Sequence, residues 1–151
     1  MGDLLTNSKA RRDYSILETY EAGIVLRGTE VKSLRAGKGQ LADAFARVEN
    51  DQVWLYNFHI DEYSHGNLHN HDPKAKRRLL LHKSEIRKLF GLGSVKGNTL
   101  IPLSCYWKGN HLKISLGVGK GKVEYDKRQD LRKREATRDI QRATTKLVRG
   151  R

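Results

Sequence analysis

The chain has 151 residues, enough for one domain with a modest core, and 37% of them are hydrophobic. Thirty Lys and Arg against seventeen Asp and Glu leave a formal charge of +13, which predicts a polyanionic partner: nucleic acid first, an anionic membrane surface second. The sequence has no apolar run of about 18 residues and no signal peptide, so we expect a cytoplasmic protein without a membrane partner. The single cysteine, Cys105, excludes an internal disulfide and a multi-cysteine zinc site, and its strand-like surroundings predict a core position.

The first segments differ in composition. Residues 1–12 contain few apolar side chains and end in basic ones, which predicts a mobile, basic lead-in. From Tyr14 onward apolar and polar residues alternate, most clearly over residues 20–27, and this pattern predicts the first strand of a folded body spanning residues 13–118.

Residues 28–40 predict a short helix after that strand. Thr29 is a suitable N-cap, Glu30 favours the positive end of the helix dipole, and Gly37 can adopt the left-handed C-terminal position. The basic side chains of this segment then remain on its exposed side, here called the rim, where an RNA backbone could contact them: Lys32, Arg35 and Lys38. A solvated surface helix without a ligand explains the same pattern.

Two alternating runs, residues 43–49 and 52–60, flank the turn formers Asn50 and Asp51 and predict a hairpin. Alternation places the larger side chains of the second run on one face: Trp54, Tyr56, Phe58 and Ile60. We interpret them as core residues of a central strand, and a stacking platform for bases is the alternative.

The second half of the body predicts a helix and another hairpin. Leu79 to Leu81 are expected to be buried, and a helix over residues 84–90 would turn Ile86, Leu89 and Phe90 inward and end at the following glycines. Residues 99–107 and 111–118 form strands around Gly109 and Asn110. Five strands, a short helix after the first and a helix between the third and fourth predict a mainly β protein, an OB-type antiparallel barrel.

The long polar segment over residues 61–78 has two interpretations. Its histidines and Asp72 resemble metal ligands, but their spacing fits no standard zinc signature, so we expect no metal site. Asn and His side chains next to Lys and Arg residues are suited to hydrogen bonding with RNA. The candidate contacts are Asn70, His71, Lys74, Lys76 and Arg77.

Residues 119–151 form a basic tail with twelve Lys and Arg against five acids, a net charge of +7. Its few apolar residues recur at intervals of three and four but make a stripe too narrow to hold a helix on the barrel. We therefore expect a tail that is disordered in isolation and becomes helical on binding. Its proposed RNA contacts are Lys120, Lys122, Tyr125, Asp126, Lys127 and Arg128.

Five ordered blocks resemble one family, the SsrA-binding (small protein B) proteins, which are bacterial partners of transfer-messenger RNA in trans-translation. The blocks are residues 20–24, 28–40, 70–73, 78–82 and 125–128. The resemblance implies the same barrel, and binding to the tRNA-like domain of that RNA through Glu30 together with the basic and polar body residues named above as RNA contacts. It also implies a tail that occupies the decoding site and empty mRNA channel of the ribosome. The tail departs from the family in the spacing before Tyr125 and in its alanine-rich distal stripe.

The sequence therefore predicts a non-enzymatic RNA-binding adaptor, without a cofactor and acting as a monomer, whose partners are transfer-messenger RNA, the small subunit with its 16S rRNA, and the large subunit. Two alternatives remain. Glu30-Val31-Lys32 has the form found in some Mg²⁺-dependent nucleases, with Asp13 as a second ligand. A general OB-type binder of single strands would carry similar charge.

Overall fold

The computed structural model describes residues 2–65 and 70–122. In chain order its elements are β1 (Leu5–Thr6), α1 (Ser8–Asp13), β2 (Tyr14–Ile24), α2 (Gly28–Arg35), β3 (Gly39–Gln40), β4 (Phe45–Glu49), β5 (Gln52–Tyr56), β6 (His59–Ile60), β7 (Arg77–Leu80), α3 (Lys83–Gly93), β8 (Asn98–Lys108) and β9 (His111–Gly121). Within the described ranges, no helix has the length and apolar character needed to span a bilayer.

Six of these strands form a closed antiparallel ring in the order β8, β4, β5, β7, β2, β9, and β9 pairs back onto β8. Short β1 adds to the free side of β8, while β3 and β6 pair separately. The helix α2 follows the first long strand and α3 precedes β8. The predicted mainly β, OB-type barrel is confirmed, with β7 as an unpredicted member of the ring.

Both predicted hairpins are present. Asn50 and Asp51 lie between β4 and β5 with φ angles of 50° and 60°, which short polar side chains tolerate better than most residues. Gly109 has φ 62° at the turn between β8 and β9, where a side chain would strain the backbone. These turns fix the registers that place alternate residues inside the barrel.

The core fills the barrel with apolar side chains, most of them aliphatic, from the strands, the connections between them and both α2 and α3. Its fully enclosed members include Val53, Leu55, Phe58, Ile60, Leu79, Leu89, Ile114, Leu116 and Val118. Cys105 belongs to this core, as predicted, and burial raises the pKa of its thiol to about 12.

The predicted shared face of Trp54, Tyr56, Phe58 and Ile60 is wrong. Asn57 has φ 58° and ends β5, so the alternation shifts by one residue there. Phe58 and Ile60 are buried with Val53 and Leu55, while Trp54 and Tyr56 are half-buried on the outer face. A single left-handed residue therefore places Trp54 and Tyr56 on the opposite face from Phe58 and Ile60.

Two apolar positions are more exposed than predicted. Leu80 is 47% exposed because β7 alternates, with Arg77 and Leu79 inside and Arg78 and Leu80 outside. Phe90 is 60% exposed because Leu89 alone fills the inward position of the α3 turn. The helix also continues through both glycines to Gly93, where the Asn98 side chain donates to the Leu92 carbonyl.

The N-terminal segment differs from the predicted mobile lead-in because β1 and α1 pack on the barrel. Asn7, only 2% exposed, donates through Nδ2 to the carbonyls of Leu41 and Pro102 at 3.1 and 2.9 Å. Its Oδ1 accepts from the Ala10 backbone N–H, which caps α1. At the other end, β9 continues three residues beyond the predicted limit of the body.

Candidate nucleic-acid interface

The exposed side of α2 carries the basic rim predicted from the sequence. Leu34 is fully buried, while Lys32, Arg35 and Lys38 are exposed. The helix begins two residues earlier than predicted, with Arg27 rather than Thr29 at the N-cap position. Glu30 Oε1 accepts from the Arg27 backbone N–H at 2.7 Å, so this carboxylate caps the helix.

Beneath the rim, Glu30 and Arg77 form an ion pair in which both residues are only 3% exposed. Arg77 Nε donates to Glu30 Oε2, and the guanidinium also donates to the carbonyls of Phe58, Asp72 and Pro73. Every nitrogen of the guanidinium thus has a partner. This one side chain connects α2, the segment between β5 and β6, and the loop before β7.

His71, also predicted to contact RNA, is 3% exposed and belongs to the same interior network. Its Nε2 donates to the Ile60 carbonyl at 2.9 Å, and its Nδ1 lies 2.9 Å from the Thr29 hydroxyl. Thr29 therefore contacts this loop instead of capping α2. The expectation that Glu30, His71 and Arg77 touch RNA directly does not agree with their burial, and all three instead hold the rim in place.

Asn70 is half-buried, and its side chain bonds to the backbone of Tyr63. Its side-chain amide accepts from the Tyr63 N–H at 2.9 Å and donates to the Tyr63 carbonyl at 2.6 Å. These are the two hydrogen bonds that a residue of a neighbouring strand would form. The Lys32 ammonium lies 5.3 Å from the centre of the Tyr63 ring. Asn70 thus positions an aromatic ring beside the first cation of the rim.

The second cation has an aromatic neighbour as well. The Arg35 guanidinium carbon lies 4.4 Å from the centre of the Trp107 ring, at the end of β8. Sequence reasoning did not assign Tyr63 or Trp107 to the site. For Trp107, the one hint in the sequence was its position two residues before the predicted turn at Gly109. No sequence pattern near Tyr63 indicated that it lies beside Lys32.

Next to Trp107, β2 and β8 carry a polar cluster of Glu21, Tyr106 and Lys108. Tyr106 donates to Glu21, and Lys108 Nζ lies 3.3 Å from the same carboxylate. The hydrogen bond from Tyr106 and the one from Lys108 hold the pKa of Glu21 below its ordinary value. Burial, followed by the hydrogen bond to Glu21, raises the pKa of Tyr106 to about 12.

The remaining predicted body contacts lie on other surfaces. Lys74 lines a small polar cavity of about 200 Å³ with Gln40, Asp43, Asn57 and His59. Lys76 extends over the outer face of the barrel, where its ammonium lies 4.6 Å from the centre of the Trp54 ring. The predicted site thus divides into a rim on α2, its buried support and a separate outer face.

Of the predicted tail contacts, Lys120 is exposed on β9 opposite Ser15, and Lys122 is the last described residue. The predictions for Tyr125, Asp126, Lys127 and Arg128 lie outside the described residues, as does the predicted binding-induced helix.

The geometry of Glu30 argues against the nuclease alternative. One carboxylate oxygen accepts from the Arg27 N–H and the other from Arg77. A metal ion that acts on a phosphodiester needs carboxylate oxygens facing the substrate. Because Glu30 is buried and fully engaged, the Glu-x-Lys pattern does not form such a site.

Fold and site together define a basic OB-type barrel with exposed cations beside aromatic rings. The profile of the family described as SmpB protein matches residues 4–146. This match covers most of the chain, and the chain belongs to the SmpB family.

Individual relatives agree with the family match. An SsrA-binding protein of Carboxydothermus hydrogenoformans is 58% identical over 137 residues, covering 91% of this chain and 92% of the relative. The SsrA-binding protein of Bacillus subtilis is 53% identical over 140 residues, with 93% and 90% covered. A solved structure described as "tmRNA-SmpB: a journey to the center of the bacterial ribosome" contains a chain with 51% identity and a TM-score of 0.68, covering 80% of this chain and 85% of that chain.

Proposed function

We propose that this protein is a non-enzymatic adaptor that binds the tRNA-like domain of transfer-messenger RNA (SsrA RNA) and delivers it to stalled ribosomes for trans-translation. The observation that carries the proposal is the identity of 58% over 91% of the chain with proteins named for binding SsrA. The net charge of +13 supports a polyanionic partner. The protein would act in the cytoplasm, where ribosomes stall.

The exposed side of α2 supplies the first part of this interface. Lys32 and Arg35 can neutralise phosphates, and Tyr63 and Trp107 can stack on unpaired bases of a folded RNA. The two cation–ring distances, 5.3 and 4.4 Å, show that both kinds of group are presented together. The buried pair of Glu30 and Arg77 keeps the helix and the adjoining loop in one arrangement, so the entropy cost of ordering them is met on folding.

The tail supplies the second part, by resemblance to the family. Lys120, Lys122, Tyr125, Asp126, Lys127 and Arg128 would contact 16S rRNA in the decoding site and the empty mRNA channel, in place of a codon and anticodon. A stacking ring, a carboxylate acceptor and two different cations suit a site made of RNA. The large subunit would be a further partner once the complex is accommodated.

Replacing Lys32 and Arg35 by Ala tests the body interface. We expect the affinity for the tRNA-like domain to fall about tenfold or more, because two cationic contacts are lost. The slope of log affinity against log salt concentration should become shallower by the amount that about two phosphate contacts contribute. The measurement is a fluorescence-anisotropy titration at several salt concentrations.

The matched control replaces Lys83 and Arg87 by Ala, which removes two exposed charges from α3 instead. It should change the affinity by no more than about threefold, since net charge alone acts weakly at a distance. Equal losses in the two variants would mean that the binding is not localised at α2.

A further inference from the structure

The outer face of β4, β5 and β7 presents an aromatic ring between two arginines. In the register of these strands Arg47 lies opposite Trp54, and Trp54 lies opposite Arg78. Side chains at directly opposed positions on one face of an antiparallel pair have neighbouring Cβ atoms. The row crosses three strands of the barrel and is separate from α2.

Lys76 completes this group, with its ammonium 4.6 Å from the centre of the Trp54 ring. Arg47, Lys76 and Arg78 are exposed, and none of them forms an ion pair with a carboxylate within residues 2–65 and 70–122. Three cations without acidic partners around one ring leave a strongly positive surface with a flat apolar centre.

A stacked pair of rings continues the surface along β4 and β5. Phe45 and Tyr56 stack with their centres 5.4 Å apart and their planes 16° from parallel, and Arg47 covers both rings. The Tyr56 hydroxyl donates to Glu49 at 2.6 Å, and this hydrogen bond raises the pKa of Tyr56. The hydroxyl is thus neutral and fixed in position.

We propose that this outer face binds an unpaired stretch of RNA, with a base stacked on Trp54 and the flanking phosphates on Arg47, Lys76 and Arg78. Stacking on aromatic rings and cations along the backbone are the two requirements for binding single strands. OB folds commonly bind oligonucleotides across a face of the barrel, and β4, β5 and β7 are adjacent strands of such a face here. The inference rests on the proposed function only for the choice of RNA as the polyanion.

The surface can admit a base without moving the backbone. Lys76 is exposed and has a flexible side chain, so its ammonium can move from the ring to a phosphate as a base takes its place. Trp54 is half-buried in the sheet and its neighbours on both strands are fixed by backbone pairing. The face therefore provides a rigid ring and mobile charges.

The chain contains two tryptophans, so a Trp107→Phe variant leaves Trp54 as the sole tryptophan, whose emission is excited selectively over that of the tyrosines. We titrate it with oligoadenylate of about eight nucleotides, a length within the range that one OB fold accommodates. Saturable quenching is expected, because a base stacked on the indole quenches its emission. Saturable binding in anisotropy without quenching would overturn the proposal.

In the otherwise unchanged full chain, Trp54→Leu should weaken oligoadenylate binding about tenfold or more, and Trp54→Phe should recover most of it. Replacing Arg47 and Lys76 by Gln, which leaves the ring in place, should also weaken binding and flatten its salt dependence. Unchanged binding in Trp54→Leu, or equal displacement of the oligonucleotide by polyglutamate at the same charge concentration, would show plain electrostatics and refute stacking.

A parallel titration with the tRNA-like domain separates this inference from the proposed function. Trp54→Leu should retain that affinity within about threefold, whereas the Lys32 and Arg35 double variant should retain oligoadenylate binding. If the wild-type chain does not prefer the tRNA-like domain, the proposed function fails while Trp54 quenching still decides the outer face.

Discussion

Arg77→Met should lower the free energy of unfolding by about 3–5 kcal/mol, a large part of the stability of a domain this size. The substitution leaves the buried Glu30 carboxylate without its cation and removes the donors to three carbonyls. Guanidinium chloride unfolding followed by circular dichroism measures the loss. It is the largest single-residue effect that we expect in the described barrel.

Arg78→Met is the matched control, because the same change is made one residue away on the exposed face of β7. It should alter the free energy of unfolding by about 0.5 kcal/mol or less. Glu30→Met combined with Arg77→Met should recover part of the loss, since replacing both members of a buried pair removes the unpaired charge. Similar stabilities for the Arg77 and Arg78 variants would contradict the structural role of the pair.

Replacing Asp126, Lys127 and Arg128 together by Ala should abolish peptide tagging at stalled ribosomes. We expect the affinity for the tRNA-like domain to stay within about threefold, because the body keeps its own contacts. The two effects separate because residues 126–128 would contact the ribosomal decoding site, whereas the basic side chains of α2 would contact the tRNA-like domain. Tagging is measured in a reconstituted translation reaction with a message that lacks a stop codon.

A second triple variant, with Ala at Asp130, Arg132 and Lys133, removes the same one acid and two bases from the tail. It should retain tagging, so equal loss in both variants would indicate general tail charge instead of a role specific to residues 126–128. A truncated chain that tests the whole tail has to end at Lys122, because residues 119–121 still pair with β2 and β8. Ending at Val118 would damage the barrel as well.

The elements that the sequence predicted are those whose cause is local. Alternation defined the long strands, Asn50 and Gly109 marked their turns, and the acid and bases of α2 indicated its orientation. The exposure of Lys32, Arg35 and Lys38 follows from the same helical periodicity. Local sequence therefore sufficed for the fold class and for the charged side of the site.

The parts that the sequence missed depend on tertiary contacts. The side chain of Asn7 holds the N-terminal segment by hydrogen bonds to Leu41 and Pro102, which lie 34 and 95 positions further along the chain. Glu30 and Arg77 are 47 residues apart, so their pairing and burial leave no local pattern, and both read as surface charges. The left-handed φ of Asn57 reversed the outward and inward assignment after it, which hid the exposure of Trp54. Long-range hydrogen bonds and one backbone inversion explain these errors.

The proposed function depends most directly on recognition of the tRNA-like domain of transfer-messenger RNA. The most direct measurement titrates the full chain, with Mg²⁺ present, against that domain, an ordinary tRNA and a single-stranded oligonucleotide at two salt concentrations, with RNA integrity checked on a gel. Salt has to be varied because counterion release alone gives tight binding to any RNA. We predict a preference for the tRNA-like domain that persists at the higher salt, with intact RNA. Equal and equally salt-sensitive binding to all three would contradict the proposed function, and cleaved RNA would contradict the adaptor role.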